Sequence, residues 1–234
     1  MKISLLHPSR NRGLKARSAA REWLAKSTGD YEIEYILSLD NDDSQIFMYK
    51  ESLWDIASDF PHVSVKLSIG ESNFVVAATN RAAKKATGDV LIFMADDFGC
   101  PDKWDVKILK EIAAKYYENN KLVALLIEDC CNKNYNVLTL PIITKAVYNT
   151  YGYFFHPCFK SIFCDNFMFH QADIRGYLVK ALHLEFPHYH YSNINETLKG
   201  KEDETYMRSN GLYDEGRRTF NKLSAELGWN IHYD

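Results

Sequence analysis

Short apolar runs alternate with amphipathic stretches through roughly the first 130 residues, a pattern that predicts strands and helices in turn. Residues 2–7 read as a first strand. A polar loop follows at 8–13, then a helix with Ala16, Ala20, Trp23 and Leu24 on one face until Gly29 ends it. Residues 33–39 read as a second strand, 47–57 as a helix and 63–67 as a third strand. Val75, Thr79, Ala82, Ala83 and Ala86 share a helical face that closes at Gly88, and the wholly apolar run 90–94 has the character of a strand buried in mid-sheet. A helix from Trp104 to about residue 117, with Ile108, Ile112 and Tyr116 in register, leads to a strand at 122–127. This order specifies an α/β fold with a mostly parallel central sheet flanked by helices.

Beyond Glu128 the regularity fades into aromatic stretches, scattered histidines and one clear amphipathic helix over 214–227. No linker rich in Pro, Gly or Ser and no internal repeat divides the chain, so residues 1–234 are expected to form a single domain. The irregular part is expected to pack onto the same sheet and complete a site, because ligands of open α/β sheets bind beyond the carboxyl ends of the strands.

Composition narrows the function classes. Hydrophobic residues make up 46% and charged residues 25%, ordinary values for a globular domain. The net charge of -3 offers no basic field that would hold a nucleic acid by counterion release, so that partner is excluded. The apolar run at the start is shorter than a signal peptide's core and no stretch approaches a membrane span, from which a cytoplasmic location is expected. Five cysteines without CxxC spacing read as free thiols. Many of the aromatic residues fall between 148 and 169, suited to a core or to a sugar-binding cleft.

Polar loops after the strands are where chemistry is to be sought. Three stand out: Pro8-Ser9-Arg10-Asn11-Arg12 after the first strand, Asp40-Asn-Asp-Asp43 after the second, and Asp96-Asp97 after the run 90–94. Neither a GxGxxG nor a GxxxxGK[ST] motif occurs, so phosphate charge has to be met otherwise. Adjacent carboxylates at a strand end suit a hard divalent cation completed by diphosphate oxygens, Mn²⁺ or Mg²⁺. They converge only if the strand has already turned into loop, which Gly99 and Pro101 favour.

These segments together carry a resemblance. Pro8-Ser-Arg-Asn, Asp40, Asn80-Arg-Ala-Ala-Lys-Lys-Ala-Thr-Gly-Asp89, and Leu91-Ile-Phe-Met-Ala-Asp-Asp-Phe-Gly-Cys-Pro101 followed by Trp104 resemble the nucleotide-binding half of family 2-like glycosyltransferases of the GT-A fold. The resemblance covers about residues 1–130 and implies a nucleotide-binding half there, with an acceptor-side half over 131–234. It implies a metal-dependent enzyme that moves a sugar from a nucleotide-sugar donor, foremost a UDP-sugar, to the hydroxyl of a saccharide or other acceptor. By position, Pro8, Ser9, Arg10, Asn11 and Arg12 would form the first nucleotide loop, Asp40 would read the base, Asn80 and Arg81 would flank the nucleotide, Asp96 would meet the ribose and Asp97 the metal. Arg10 or Arg12 would add positive charge to the departing diphosphate. Asp40-Asn-Asp-Asp-Ser stands where many relatives have Asp-Asp-Gly-Ser, which leaves open which carboxylate touches the base.

Further along, Ser161-Ile-Phe-Cys-Asp165-Asn-Phe-Met-Phe-His170 resembles the family's acceptor segment, which would make Asp165 the base that takes the acceptor proton. Phe186-Pro-His188-Tyr-His190-Tyr, followed by Glu202-Asp-Glu-Thr-Tyr206, resembles the late segment that supplies a further metal ligand. Two histidines at alternate positions share one side of an extended segment, and His190 is preferred over His188. Plain structural roles compete: Asp165 as a helix N-cap, the acidic loop at 40–43 as a solvated turn, Asn80 as a cap for a neighbouring loop. A nucleotidyltransferase is the alternative enzyme, although the basic, glycine-rich triphosphate loop it needs is missing. A non-catalytic sugar- or nucleotide-binding module is the alternative without chemistry.

Overall fold

The computed structural model describes residues 1–131 and 135–234. Among the described residues seven strands form one sheet: β1 (Lys2–Ser9), β2 (Glu32–Asp40), β3 (Val63–Gly70), β4 (Val90–Phe93), β5 (Ala124–Glu128), β6 (Ile142–Thr144) and β7 (Leu178–Glu185). Their spatial order is β3-β2-β1-β4-β6-β5-β7. The pairs among β3, β2, β1 and β4 are parallel, as is β5 with β7, while β6 runs antiparallel to both of its neighbours. The apolar strand β4 therefore sits mid-sheet, as its composition implies. The helices are α1 (Gly13–Ala25), α2 (Ile46–Asp59), α3 (Phe74–Lys85), α4 (Trp104–Tyr116), α5 (Lys145–Tyr151), α6 (Cys164–Ile174), α7 (Glu204–Asn210) and α8 (Tyr213–Glu226).

Strand alternation divides the core into two layers. Ile3 and Leu5 of β1 with Ile33, Tyr35, Leu37 and Leu39 of β2 face the side covered by α1, α2 and α4, whereas Leu6 and Ile36 face α3 and the aromatic cluster around α6 and α8. On the first side Trp23 and Trp104 are fully buried and pack 5.2 Å apart, ring centre to ring centre. Both indole N–H groups are satisfied: Trp104 donates to Trp23 O at 2.7 Å and Trp23 to Phe98 O at 2.9 Å. The second bond ties α1 to the loop after β4, where the acidic pair lies.

One buried charge interrupts this apolar plan. Glu34 on β2 accepts from Ser4 Oγ (2.5 Å), Lys66 Nζ (2.5 Å) and the backbone N–H groups of Thr87 (2.5 Å) and Gly88 (3.1 Å). Gly88 is required at this contact, because a Cβ there would lie 2.4 Å from Ser4 Oγ. Glu34 thereby fixes the turn that launches β4. Burial alone would raise its carboxyl, but Lys66, Ser4 and Thr87 together hold it down to about 2. Glu34→Ala is expected to cost about 3 to 5 kcal/mol of stability, since Lys66 and two N–H groups lose their partner. A carboxyl depressed in the fold contributes stability that is fully present above its ordinary value near 4.5 and is lost as the pH falls toward 2. Acid unfolding of the wild type should accordingly begin below about pH 4.5, and the Glu34→Ala protein, less stable at neutral pH, should lose less over that interval; urea titrations at pH 7 and pH 3 measure both effects.

Candidate active site

The carboxyl ends of β1, β2 and β4 open onto one cleft of about 200 Å³. Its sheet side is formed by Pro8, Ser9, Arg10 and Arg12 of the first loop with Asp40, Asp96 and Asp97. Phe74, Val75 and Ala78 of α3 form a second wall, and Thr205, Tyr206, Arg208 and Ser209 of α7 a third. The structure thus brings together the first loop, the β2 carboxylate and the acidic pair, three segments far apart in sequence. It also brings in α7 from the late part of the chain, so residues beyond 131 line the same cleft.

β4 ends before the acidic pair. Met94 still donates to Leu6 O at 2.8 Å, after which Asp96 and Asp97 occupy a turn closed by Phe98 N to Ala95 O at 3.3 Å. Released from strand alternation, the two carboxylates face different partners. Asp96 looks toward β1: its Oδ1 lies 2.8 Å from His7 Nε2, its Oδ2 accepts from Ser9 Oγ at 3.0 Å, and Arg12 Nη1 stands 3.8 Å away. Asp97 looks toward the late segment: its Oδ2 accepts from the Tyr206 hydroxyl and lies 3.5 Å from His188 Nε2. Burial would push the Asp97 carboxyl up, yet His188, Tyr206 and Arg12 hold it well below the usual carboxylate range.

His188 reaches Asp97 because the extended segment at 186–190 pairs with the loop after β4. Gly99 donates to Pro187 O and Tyr189 to Asp97 O, both at 2.8 Å, and the His188 ring stacks on Phe98 at 4.0 Å. Burial lowers the His188 imidazole, but pairing with Asp97 raises it to about 9. His190 lies on the same side, 5.1 Å from His188 between ring centres, but its Nδ1 is hydrogen-bonded to Ser192 Oγ at 2.7 Å and burial pushes it down to about 4. Of the two, His188 is the one beside the acidic pair, the reverse of the preference drawn from spacing.

Around Asp40 the cleft is rich in arginine. Arg10 donates to Asp40 at 3.0 Å and to Asp42 at 2.5 Å, Arg81 approaches Asp40 at 3.5 Å, and Arg208 stands 3.8 Å off. Arg81 also donates to Leu39 O at 2.7 Å, bracing the end of β2 and not projecting freely toward a ligand. Asp43 is the turn-maker of the acidic loop, accepting from Gln45 N at 2.7 Å and Asn11 N at 2.8 Å. Asn11 is spent on that link and does not line the cleft. Asn80 lies away from it too: its side chain accepts from Phe154 N and Phe155 N and donates to Phe155 O at 2.8 Å, the loop-capping role.

Asp165 borders an adjoining groove of about 200 Å³ that shares Val75 and Phe93 with the main cleft. It is not the N-cap of α6, a position held by Phe163 in the left-handed region; Asp165 lies in the first turn, its Oδ1 accepting from Asn166 N at 2.9 Å. Burial raises its carboxyl above the ordinary aspartate range, a shift that the Asn166 N–H partly offsets.

Sequence reading did not assign roles to Asp203, Tyr206 or Arg208, although the first two lie in a segment singled out for its histidines and acids. Asp203 caps α7, accepting from Thr205 N and Tyr206 N, and takes the Arg12 fork at 2.9 and 2.6 Å with Lys15 at 2.8 Å. Arg12 also lies over the Tyr206 ring, 4.5 Å from its centre. Arg12 therefore connects the acidic pair to α7.

Comparisons with known proteins agree with this geometry. The family described as Glycosyl transferase family 2 matches residues 50–182. The fold is similar to that of S. aureus TarS 1-349 in complex with UDP-GlcNAc, with a TM-score of 0.66 and 17% identity over 99% of this chain and 68% of that one. It is also similar to the mannosyltransferase PcManGT from Pyrobaculum calidifontis in complex with GDP-Man and Mn²⁺ (TM-score 0.57, 12% identity, 97% of this chain and 74% of that one). A longer TarS structure matches with a TM-score of 0.57 and 18% identity over 80% of this chain, a match that spans 36% of the TarS chain. No curated protein sequence matches significantly. At these identities the structural likeness establishes the fold, a mixed α/β sheet of the GT-A type. Among the described residues no helix is long and apolar enough to cross a membrane.

Proposed function

The chain belongs to glycosyl transferase family 2, and on that premise we propose that it transfers a sugar from a nucleotide-sugar donor to an acceptor hydroxyl, with the donor in the main cleft and the acceptor in the groove beside Asp165. One observation carries this reading. The acidic pair and Arg12 face a cleft at the carboxyl ends of β1 and β4, and the half-buried carboxylate of Asp165 lies in the adjoining groove behind a shared Val75–Phe93 wall.

Each residue then has a task. Asp40, held by Arg10 and Arg81, meets the nucleoside end of the donor. Asp96, fixed from β1, meets the ribose, while Arg12 and Arg10 offset the diphosphate charge that grows as the sugar departs. Asp165 takes the proton of the attacking hydroxyl, a task helped by a carboxyl whose affinity for protons burial has raised. Asp97 offers the carboxylate that suits Mn²⁺ or Mg²⁺, and His188 would join it as a ligand only on giving up the proton that Asp97 stabilises. Among the described residues no group of three or more His, Cys, Asp or Glu is assembled to hold a cation alone, so the donor's oxygens would complete the set. Such a cation, when bound, draws electron density from the diphosphate as a Lewis acid.

The cleft of about 200 Å³ is smaller than the roughly 300–1,000 Å³ of most ligand pockets. A cation that takes Asp97 Oδ2 competes there with the Tyr206 hydroxyl. A UDP-sugar is the first donor to test, since S. aureus TarS is seen with UDP-GlcNAc. The test is product analysis after incubation with UDP- and GDP-sugars and Mn²⁺. Release of nucleoside diphosphate supports sugar transfer, pyrophosphate released in a parallel incubation with a nucleoside triphosphate and a sugar 1-phosphate would instead identify a nucleotidyltransferase, and binding without turnover a module that has lost its chemistry.

A further inference from the structure

His7 occupies a place where the strand pattern calls for an aliphatic residue. It continues the row Ile3–Leu5 on the face of β1 that packs into the α1–α2–α4 layer, and it is fully buried. Burying an imidazole there is unfavourable unless both ring nitrogens are bonded. Both are: Nδ1 lies 2.7 Å from the Tyr35 hydroxyl and Nε2 2.8 Å from Asp96 Oδ1. A neutral ring protonated on Nε2 fits both bonds, with Tyr35 donating to Nδ1 and Nε2–H donating to the carboxylate. Tyr35 is itself fully enclosed, on the neighbouring strand one diagonal step from His7.

The second oxygen of Asp96 is held by a parallel arrangement. Ser9, two residues along the same row, donates to Oδ2 at 3.0 Å, and its hydroxyl is backed at 2.8 Å by that of Tyr49 from α2. Tyr49 in turn accepts from Arg12 N at 2.9 Å. Each carboxylate oxygen thus has one donor from β1, backed by a buried tyrosine, and keeps its remaining lone pairs for the cleft.

We infer that His7, oriented by Tyr35, is a positioning residue that holds the Asp96 carboxylate in the orientation the donor requires. The inference rests on the donor-site reading proposed above. Partners of this outer kind typically change affinity or activity by about 10- to 100-fold when removed, without touching the ligand.

The test uses the full chain, with calorimetric titration of UDP in Mn²⁺ and thermal unfolding of each variant. His7→Leu should weaken UDP binding about tenfold or more while the protein remains folded. His7→Gln extends an amide N–H toward the place of Nε2 and should recover affinity to within about threefold of wild type. Tyr35→Phe removes one oxygen well away from any ligand and should weaken binding by several-fold, between the other two. Wild-type affinity in both His7→Leu and Tyr35→Phe would overturn the inference, as would a His7→Gln protein no better than His7→Leu. Should His7→Leu fail to fold, Tyr35→Phe decides alone. A wild-type protein that binds no nucleoside diphosphate overturns the donor-site reading itself, and this inference with it.

Discussion

Replacing Asp165 with Asn is expected to lower turnover by about two to four decades while leaving affinity for UDP within a few-fold of wild type. The side chain borders the groove next to the donor cleft and makes no contact with the acidic pair, so its loss should act on the acceptor step alone. Asn retains an oxygen that can accept from Asn166 N, and the N-cap of α6 belongs to Phe163, so the helix keeps its start. What disappears is the carboxylate proposed to take the acceptor proton. Steady-state kinetics with a saturating donor and varied acceptor, alongside UDP binding, separate the two effects. Normal turnover would remove Asp165 from the chemistry, whereas equal losses in binding and turnover would point to a structural role.

Asp97→Asn should act on the other substrate. The change preserves size but removes the charge that pairs with His188 and receives Tyr206. Loss of the carboxylate proposed to hold the cation against the departing diphosphate is expected to cost on the order of 100- to 1,000-fold in kcat/KM. UDP affinity should then no longer respond to Mn²⁺, which a calorimetric titration with and without the metal reads directly. Undiminished Mn²⁺ dependence in this variant would move the cation elsewhere. Asp96→Asn differs in kind, because Ser9 and His7 both donate to the carboxylate and an amide has an oxygen for only one of them.

The parallel part of the fold was legible because β1, β2, β4 and the helices between them each bury one continuous face, which leaves a period in the sequence. Predicted limits differ from observed ones by only a few residues, as at 33–39 against Glu32–Asp40. The later elements left weaker signals for physical reasons. β6 is three residues long, too short for any alternation to register. β7 lies at the sheet edge with Lys180 and His183 turned outward, so its apolar pattern is broken. α6 buries Phe167, Met168 and Phe169 consecutively, which narrows its polar stripe to Asn166, His170 and Asp173, and α7 has no buried residue at all.

The site divides along the same line. The acidic pair, Asp40 and the arginines of the first loop line one cleft, and that grouping was legible because each follows a strand directly. Asn80 was misplaced because the position of a residue on a helix does not say which face meets the cleft, and here it meets the loop at Phe154–Phe155. The choice between His188 and His190 turns on pairing between 97–99 and 186–190, a contact remote in sequence. The roles of Asp203 and Tyr206 depend on how α7 docks, which no local pattern encodes. His7 left one trace, a histidine closing an otherwise apolar strand.

On the function proposed above, the cleft at Asp96 and Asp97 receives a nucleoside diphosphate together with a divalent cation. Thermal unfolding of the wild-type chain with UDP and Mn²⁺, each alone and both together, tests it most directly. At about 100 times its dissociation constant a ligand stabilises by about 2.7 kcal/mol, which for a domain of this size raises the midpoint by roughly 5 to 10 °C. That shift is expected with both present, and a clearly smaller one with either alone. A midpoint that no nucleoside diphosphate moves at millimolar concentration in the presence of Mn²⁺ would contradict it.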